Sequence, residues 1–210
     1  MSYSPFIAPY NRLPETLPIF PLPGAIVMPG SELPLNIFEP RYLNMVSDAL
    51  STHHMIGMIQ PDPNARDTNV LCHTGCAGRI TQYRETNDGR IEMVLSGVCR
   101  YDLGKELPTT RGYRLVVPDW SRFRDDYTNH EDQLRSEHGH LIRIVKRYFD
   151  AKGLQADWSM LEGLSTIRLM NSLSVALPIS ERDKQVLLET VEPAQRLHTF
   201  TSLLGDGFQA

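Results

Sequence analysis

The sequence predicts an α+β fold: a bent, pseudo-barrel-like antiparallel β part over residues 1–125, then an α-helical bundle over residues 126–210. Three observations carry that prediction. Up to about Trp120 the chain is rich in Pro, Gly and short runs of alternating apolar residues, the two-residue period of a half-buried strand. Beyond about residue 129 the apolar positions recur at helical spacing, in segments separated by Gly and Pro. Between the two lies Arg122-Phe123-Arg124-Asp125-Asp126-Tyr127, which reads as a linker or edge segment.

In the β part, Leu17-Pro18-Ile19-Phe20-Pro21-Leu22 is extended, because proline at that density forbids a helix; it is expected at a sheet edge. Gly24 and Pro29-Gly30 mark turns. Leu33 to Phe38 is a second extended run, and Pro40 opens a short helix at its first position, where a missing N–H costs nothing. Tyr42, Val46 and Ala49, with Leu43 and Leu50, form its apolar stripe. A short strand over 54–60 ends at Pro61-Asp62-Pro63. Two long strands over 70–85 and 91–103 flank Asn87-Asp88-Gly89, a hairpin signal because Asp-Gly supplies the positive φ of tight turns. Ile91, Met93 and Leu95 alternate with Glu92, Val94 and Ser96, and Tyr113, Leu115 and Val117 repeat the alternation in a further strand.

In the helical part, Thr128 or Asn129 is the candidate cap of a long helix running to about Lys152, with Gly153 as its stop and Gly139 as the expected place of a kink. Leu134, Leu141, Ile142, Val145, Tyr148 and Phe149 are its buried face. A shorter helix follows Asp157, another spans 165–177 and ends at Pro178, and Ser180-Glu181-Arg182-Asp183 resembles a capping box for the next. Pro193 starts the last, with Leu197, Phe200, Leu203 and Leu204 as its apolar positions. Amphipathic helices joined by short turns pack as a bundle.

The totals exclude several function classes. The chain has 210 residues, 41% apolar and 22% charged, ordinary globular usage with enough length for a real core. A formal net charge of −4 argues against a general nucleic-acid binder, which neutralises phosphates with Lys and Arg. The first thirty residues lack a secretory signal, and no run approaches the ~18–20 apolar residues of a membrane span, so a cytoplasmic protein with no membrane partner is expected. Three cysteines do not make a disulfide framework and read as reduced thiols.

No residue pattern carries catalysis, so no catalytic, cofactor-binding or metal residue is assigned, and the binding residues are left undefined. Gly97 and Gly104-Lys105-Glu106 are the nearest approach to a phosphate-cradling loop, but the spacing is wrong and Glu stands where a hydroxyl would hold magnesium. Gly163-Leu164-Ser165-Thr166-Ile167 lacks the last glycine of a nucleophile elbow, and Ser165 reads as a helix cap. Cys72, His73 and Cys76 include good zinc ligands, yet on a strand the two cysteines face one way and His73 the other, and a fourth ligand such as Cys99 is distant; they read as buried thiols. His138 and His140 do not share a helix face, and His53-His54 has no evident partner. Asp125-Asp126 and Glu131-Asp132 lie in polar linker or helix-start contexts.

The runs Leu17-Pro18-Ile19-Phe20-Pro21-Leu22-Pro23-Gly24, Val27-Met28-Pro29-Gly30 and Leu33-Pro34-Leu35-Asn36-Ile37-Phe38-Glu39-Pro40-Arg41-Tyr42 together resemble the opening of the LON substrate-binding domain. Gly75-Cys76-Ala77-Gly78-Arg79-Ile80, Asp88-Gly89-Arg90, Leu95-Ser96-Gly97-Val98-Cys99-Arg100-Tyr101, Leu177-Pro178-Ile179-Ser180 and Lys184-Gln185-Val186-Leu187-Leu188-Glu189 agree, so the resemblance runs from about Leu13 to Leu204. It implies a PUA-like β part before a helical bundle, and a role in contacting protein substrates or partners. The same domain type occurs at the front of Lon proteases, in cereblon-type receptors and alone in bacteria, and the stand-alone group is the nearest look-alike. The expected activity is therefore binding of unfolded polypeptide or a specific protein, through the groove between the β part and the helices, with no cofactor. A small-molecule or metal-binding regulator is the alternative, and a peptidase or other hydrolase the remotest. In the opening motif, Glu39 is placed to accept hydrogen bonds from the helix N-terminus, Arg41 to pair with a carboxylate and Tyr42 to plug the β core, chiefly in a fold-maintaining role.

Overall fold

The computed structural model describes residues 9–67, 69–128 and 134–206. Its strands are β1 (Leu17–Pro21), β2 (Glu32–Ile37), β3 (Met55–Ile59), β4 (Thr74–Glu85), β5 (Ile91–Leu107) and β6 (Arg114–Asp119), in the order β2-β5-β4-β3-β1-β6. β5 also pairs with β6, so five strands close a ring and β2 hangs on the outside of the seam. The 17-residue β5 makes this possible: Ile91–Ser96 hold β2, while Asp102–Leu107 hold β6. Register shifts in its ladders with β4 and β6 supply the bends, as bulges do wherever a sheet must curl. The architecture is α+β, as expected, but one strand pair, β1 with β3, is parallel. The connection between them carries β2 and the helix α1 (Pro40–Leu50), the long crossover that parallel pairing requires.

Closure also moves the proline-rich strand. β1 was expected at an edge; it lies between β3 and β6. Its prolines are tolerated by placement: Pro18 precedes Ile19, the first residue paired with β3, and Pro21 is the last residue of the strand. β6 turns the other way from its apparent pattern, with Val116 buried and Val117 40% exposed. β4 begins at Thr74, four residues later than the apolar run suggested, because only a Pro61–Leu71 bridge forms before it.

The ring separates two cores. β3 is buried on both faces: Met55 and Ile59 join Leu17, Ile19, Ala77, Cys99, Tyr101, Val116 and Phe123, whereas Ile56 and Met58 join Tyr42, Met45, Val46 and Ala49 of α1. A helix can only lie outside the ring, so the first set is the inner core. Tyr101 fills it beside two glycines. A Cβ at either Gly57 or Gly75 would stand 2.6 Å from the Tyr101 hydroxyl, so side chains are excluded there. That hydroxyl is buried with no hydrogen-bond partner among the described residues. An unpaired buried hydroxyl costs stability. Tyr101→Phe is therefore expected to leave the urea-unfolding free energy unchanged or raise it by about 1 kcal/mol; a clear loss would mean that the hydroxyl is satisfied.

The helices are α2 (His138–Lys152), α3 (Trp158–Glu162), α4 (Thr166–Ala176), α5 (Glu181–Glu189) and α6 (Pro193–Asp206), and they share a third core. Their sequence signals act as read. Gly153 is left-handed (φ 64°) and ends α2; Asp157, Ser165 and Ser180 cap α3, α4 and α5 through side-chain oxygens. The start of α2 differs. Thr128 is extended and closes a 3-10 helix over Ser121–Tyr127, Asn129 lies outside the described residues, and α2 begins at His138 after a 3-10 turn. Gly139 is then the second residue of α2, and the mid-helix kink expected there has no place to form. Among the described residues no helix is long and apolar enough to cross a membrane.

Candidate functional site

The seam between ring and helices is closed by buried polar bonds. Arg100, on β5, is 2% exposed. Its guanidinium donates to both Asp126 carboxylate oxygens, at 2.7–3.2 Å, and to the Leu188 and Thr190 carbonyls at 3.1 and 2.7 Å. It also lies 4.6 Å from the centre of the Phe123 ring. Arg196, on α6, donates to the same Thr190 carbonyl at 2.9 Å, and its Nε has no partner among the described residues. Burial, then the neighbouring Arg100, pushes the Arg196 pKa down to about 9. Further along, Gln60 Nε2 donates to the Glu181 carbonyl and the Gln185 side chain, Gln185 to the Thr74 carbonyl and Glu189, Lys184 to the Gly24 carbonyl, and Asn171 to the Pro29 carbonyl. These bonds span the junction along which the binding groove is expected.

An open cavity lies on the helical side. It has a volume of about 440 Å³ and sits between the C-terminal end of α2, the turn joining α4 to α5, and α6. Tyr148, Leu154, Pro178, Ile179 and Leu203 provide its apolar lining; Lys152, Ser180 and Asp183 are its polar members. The sequence explains the opening. Gly153 stops α2 and Pro178 stops α4, so three helix ends converge without a side chain large enough to fill the space between them. Tyr148 and Leu203 are apolar helix positions, as the periodicity predicts, but that they border a cavity is invisible to periodicity.

The structure scatters the other flagged residues. Glu39 does not cap α1 with its side chain; its carboxylate takes Arg41 instead, at 2.8–3.0 Å, leaving the backbone carbonyl to accept from Tyr42 and Leu43. Tyr42 is buried against Phe20, with ring centres 4.3 Å apart. Ser165 accepts from the Arg168 N–H and acts as a cap. His138 meets Thr166, His140 meets Arg143, and the His53 ring accepts from the Met55 N–H. Glu131 and Asp132 lie outside the described residues. Asp126, read as a polar linker residue, is buried against Arg100; its partner is 26 positions away on a strand, and no local pattern announces it. Gly97 and Gly104 both sit inside β5, where a Cβ would strike the Met28 and Val117 carbonyls, so close backbone packing accounts for them.

The cysteines and His73 diverge. Cys72 bonds the Pro61 carbonyl, Cys76 lies in the outer core, Cys99 in the inner one, and His73 points to Asp102 at 3.9 Å with its side chain 69% exposed. Among the described residues, no three His, Cys, Asp or Glu are grouped to hold a metal. Burial pushes the Cys72 thiol up to about 11 from 9.0 and raises Cys76 and Cys99 further. At pH 8 a maleimide is expected to label Cys72 slowly, and Cys76 and Cys99 only in denaturant. The raised values also contribute stability that is present below pH 9 and is lost as the pH rises through about 11, where the unfolded thiols ionise more readily. Rapid labelling of all three in the folded protein would contradict this arrangement.

Residues 16–206 match the family model described as the ATP-dependent protease La (LON) substrate-binding domain. Lon protease 2 of Bdellovibrio bacteriovorus is 22% identical over 203 residues, covering 92% of this chain and 25% of that protein. Lon protease of Flavobacterium johnsoniae is 24% identical over 186 residues, covering 85% and 22%. The chain thus spans about a quarter of the length of the curated relatives it matches. Among solved structures, a Lon N-terminal domain protein from Xanthomonas campestris is similar at a TM-score of 0.66 and 26% identity, covering 89% of this chain and 97% of that one. The N-terminal domain of the Mycobacterium avium complex Lon protease has the same fold at a TM-score of 0.69 and 15% identity, covering 91% and 98%.

Proposed function

Because the chain belongs to the LON substrate-binding domain family, we propose that it is a non-catalytic protein-binding module of that type, holding unfolded polypeptide or one defined protein partner. The observation that carries this reading is the match of a substrate-binding family over residues 16–206, supported by likeness to Lon N-terminal domains over about nine-tenths of the chain. In this reading residues 1–125 and 126–210 are two parts of one module: most of the helical apolar residues share a core of their own, while Leu188 of α5 enters the outer core of the β part and the polar seam joins the two. The arrangement of side chains favours binding over chemistry, since the buried cysteines and Asp126 are engaged in packing or in an ion pair.

A fluorescent, reduced and carboxymethylated protein that cannot refold is a direct probe. Saturable binding, competed by the unlabelled unfolded protein and not by its folded form, is the expected result. No saturable binding at low salt, together with no reproducible partner in pull-downs, would overturn the reading. Peptidase or ATPase turnover that co-elutes with the purified protein would overturn its non-catalytic half.

A further inference from the structure

We infer that Pro34 holds shut an edge of the sheet that would otherwise pair with a second copy of this chain. Closure of the ring gives β1, β3, β4, β5 and β6 a neighbour on either side, which is how a closed sheet disposes of its edges. β2 lies outside the ring and pairs with β5 alone, so among the described residues it is the one strand with a single neighbour. An open strand of this kind is a ready template for another. Its pattern suits pairing: Leu33, Leu35 and Ile37 turn to the outer core, which fixes the register, while Glu32, Pro34 and Asn36 are exposed.

Hydrogen-bond parity identifies the backbone groups that line the edge. The Gly97 N–H donates to the Ser31 carbonyl at 2.9 Å, and the register runs on from there as Glu32 with Ser96 and Leu33 with Leu95. In an antiparallel ladder, facing residues alternate between bonded and non-bonded pairs. Leu33, Leu35 and Ile37 therefore bond to β5, and the backbone groups of Glu32, Pro34 and Asn36 face outward. Pro34 agrees independently, since it has no N–H to give β5. It stands at the midpoint of the outward triplet. A second copy approaching about a two-fold axis, as in an isologous dimer, would set Pro34 against its own equivalent and Glu32 against Asn36. The central pair would then lack both N–H donors, and the two ring Cδ atoms would stand where those hydrogens belong.

Analytical ultracentrifugation of the full chain tests this with two variants. Pro34→Thr should self-associate about thirtyfold or more tightly than the wild type, the scale of two hydrogen bonds regained. Adding Asn36→Pro to it should return association to the wild-type level, because that proline removes an outward donor and no bond to β5. Association of Pro34→Thr at the wild-type level, or its persistence in the double variant, would overturn the inference. Hydrogen exchange of the wild-type chain gives a second measurement that needs no variant to fold. The Glu32 and Asn36 amides should exchange at least about tenfold faster than those of Leu33, Leu35 and Ile37. Equally slow exchange at Glu32 and Asn36 would mean that the edge is already covered, and the role given to Pro34 would fail.

Discussion

Asp126→Ala is expected to lower the unfolding free energy by about 3–5 kcal/mol, the cost of removing one partner from a buried ion pair. The side chains of Arg100 and Asp126 are only 3% and 6% exposed, and the carboxylate also accepts from the Arg100 backbone N–H at 2.9 Å. Its loss strands more than one charge. Arg196 shares the Thr190 carbonyl with Arg100, and its depressed pKa reports the repulsion and burial that Asp126 offsets. Asp126→Asn should be nearly as damaging, because an amide keeps the shape without the charge. Urea unfolding followed by circular dichroism measures the loss. A change below about 1 kcal/mol would place the pair among ordinary surface ion pairs and refute its role in the seam.

Gly97→Ala carries the second large effect, about 3 kcal/mol, at the upper end of the usual cost of overpacking. The added methyl would land on the Met28 carbonyl, with a Val27 methyl 3.1 Å away. Nothing there yields easily. The Gly97 N–H donates to the Ser31 carbonyl at 2.9 Å, and the Gly97 carbonyl accepts from Gly30 at 3.0 Å, so the 26–31 turn is laid flat on β5. The Ser31 hydroxyl then ties the turn to both the N–H and the carbonyl of Met28. Relieving the clash means lifting Val27 and Met28, both fully buried, out of the outer core. Gly139→Ala is the matched control: the glycine is in open space on a helix, and the change should be neutral or stabilising. Equal effects at the two positions would rule out the packing explanation.

Much of this fold is legible in local patterns, because its signals act over a few residues. The alternation of Ile91, Met93 and Leu95 marks a strand, and Ser165, Ser180 and Gly153 act at helix ends as their chemistry dictates. What the pattern does not reveal depends on contacts between distant segments. Ring closure put proline-rich β1 in the sheet interior, and it turned Val117 outward. Arg100 reads as a polar residue in an apolar strand until Asp126, Leu188 and Thr190 come together around it. The helical cavity is of the same kind, since it exists only where three helix ends meet.

The polar seam also imposes an order of assembly. The strands of the ring end at Asp119, yet two of the acceptors that satisfy Arg100 are the carbonyls of residues 88 and 90 positions downstream, and Gln60 reaches a carbonyl 121 positions away. On a ribosome the whole β sheet emerges before those acceptors have been made. Until α5 arrives, Arg100 must stay wet or the ring must stay partly open, and contacts of such long sequence separation form slowly. Nascent chains stalled before residue 188 should therefore be protease-sensitive across β5, with protection appearing abruptly once Thr190 has cleared the exit tunnel.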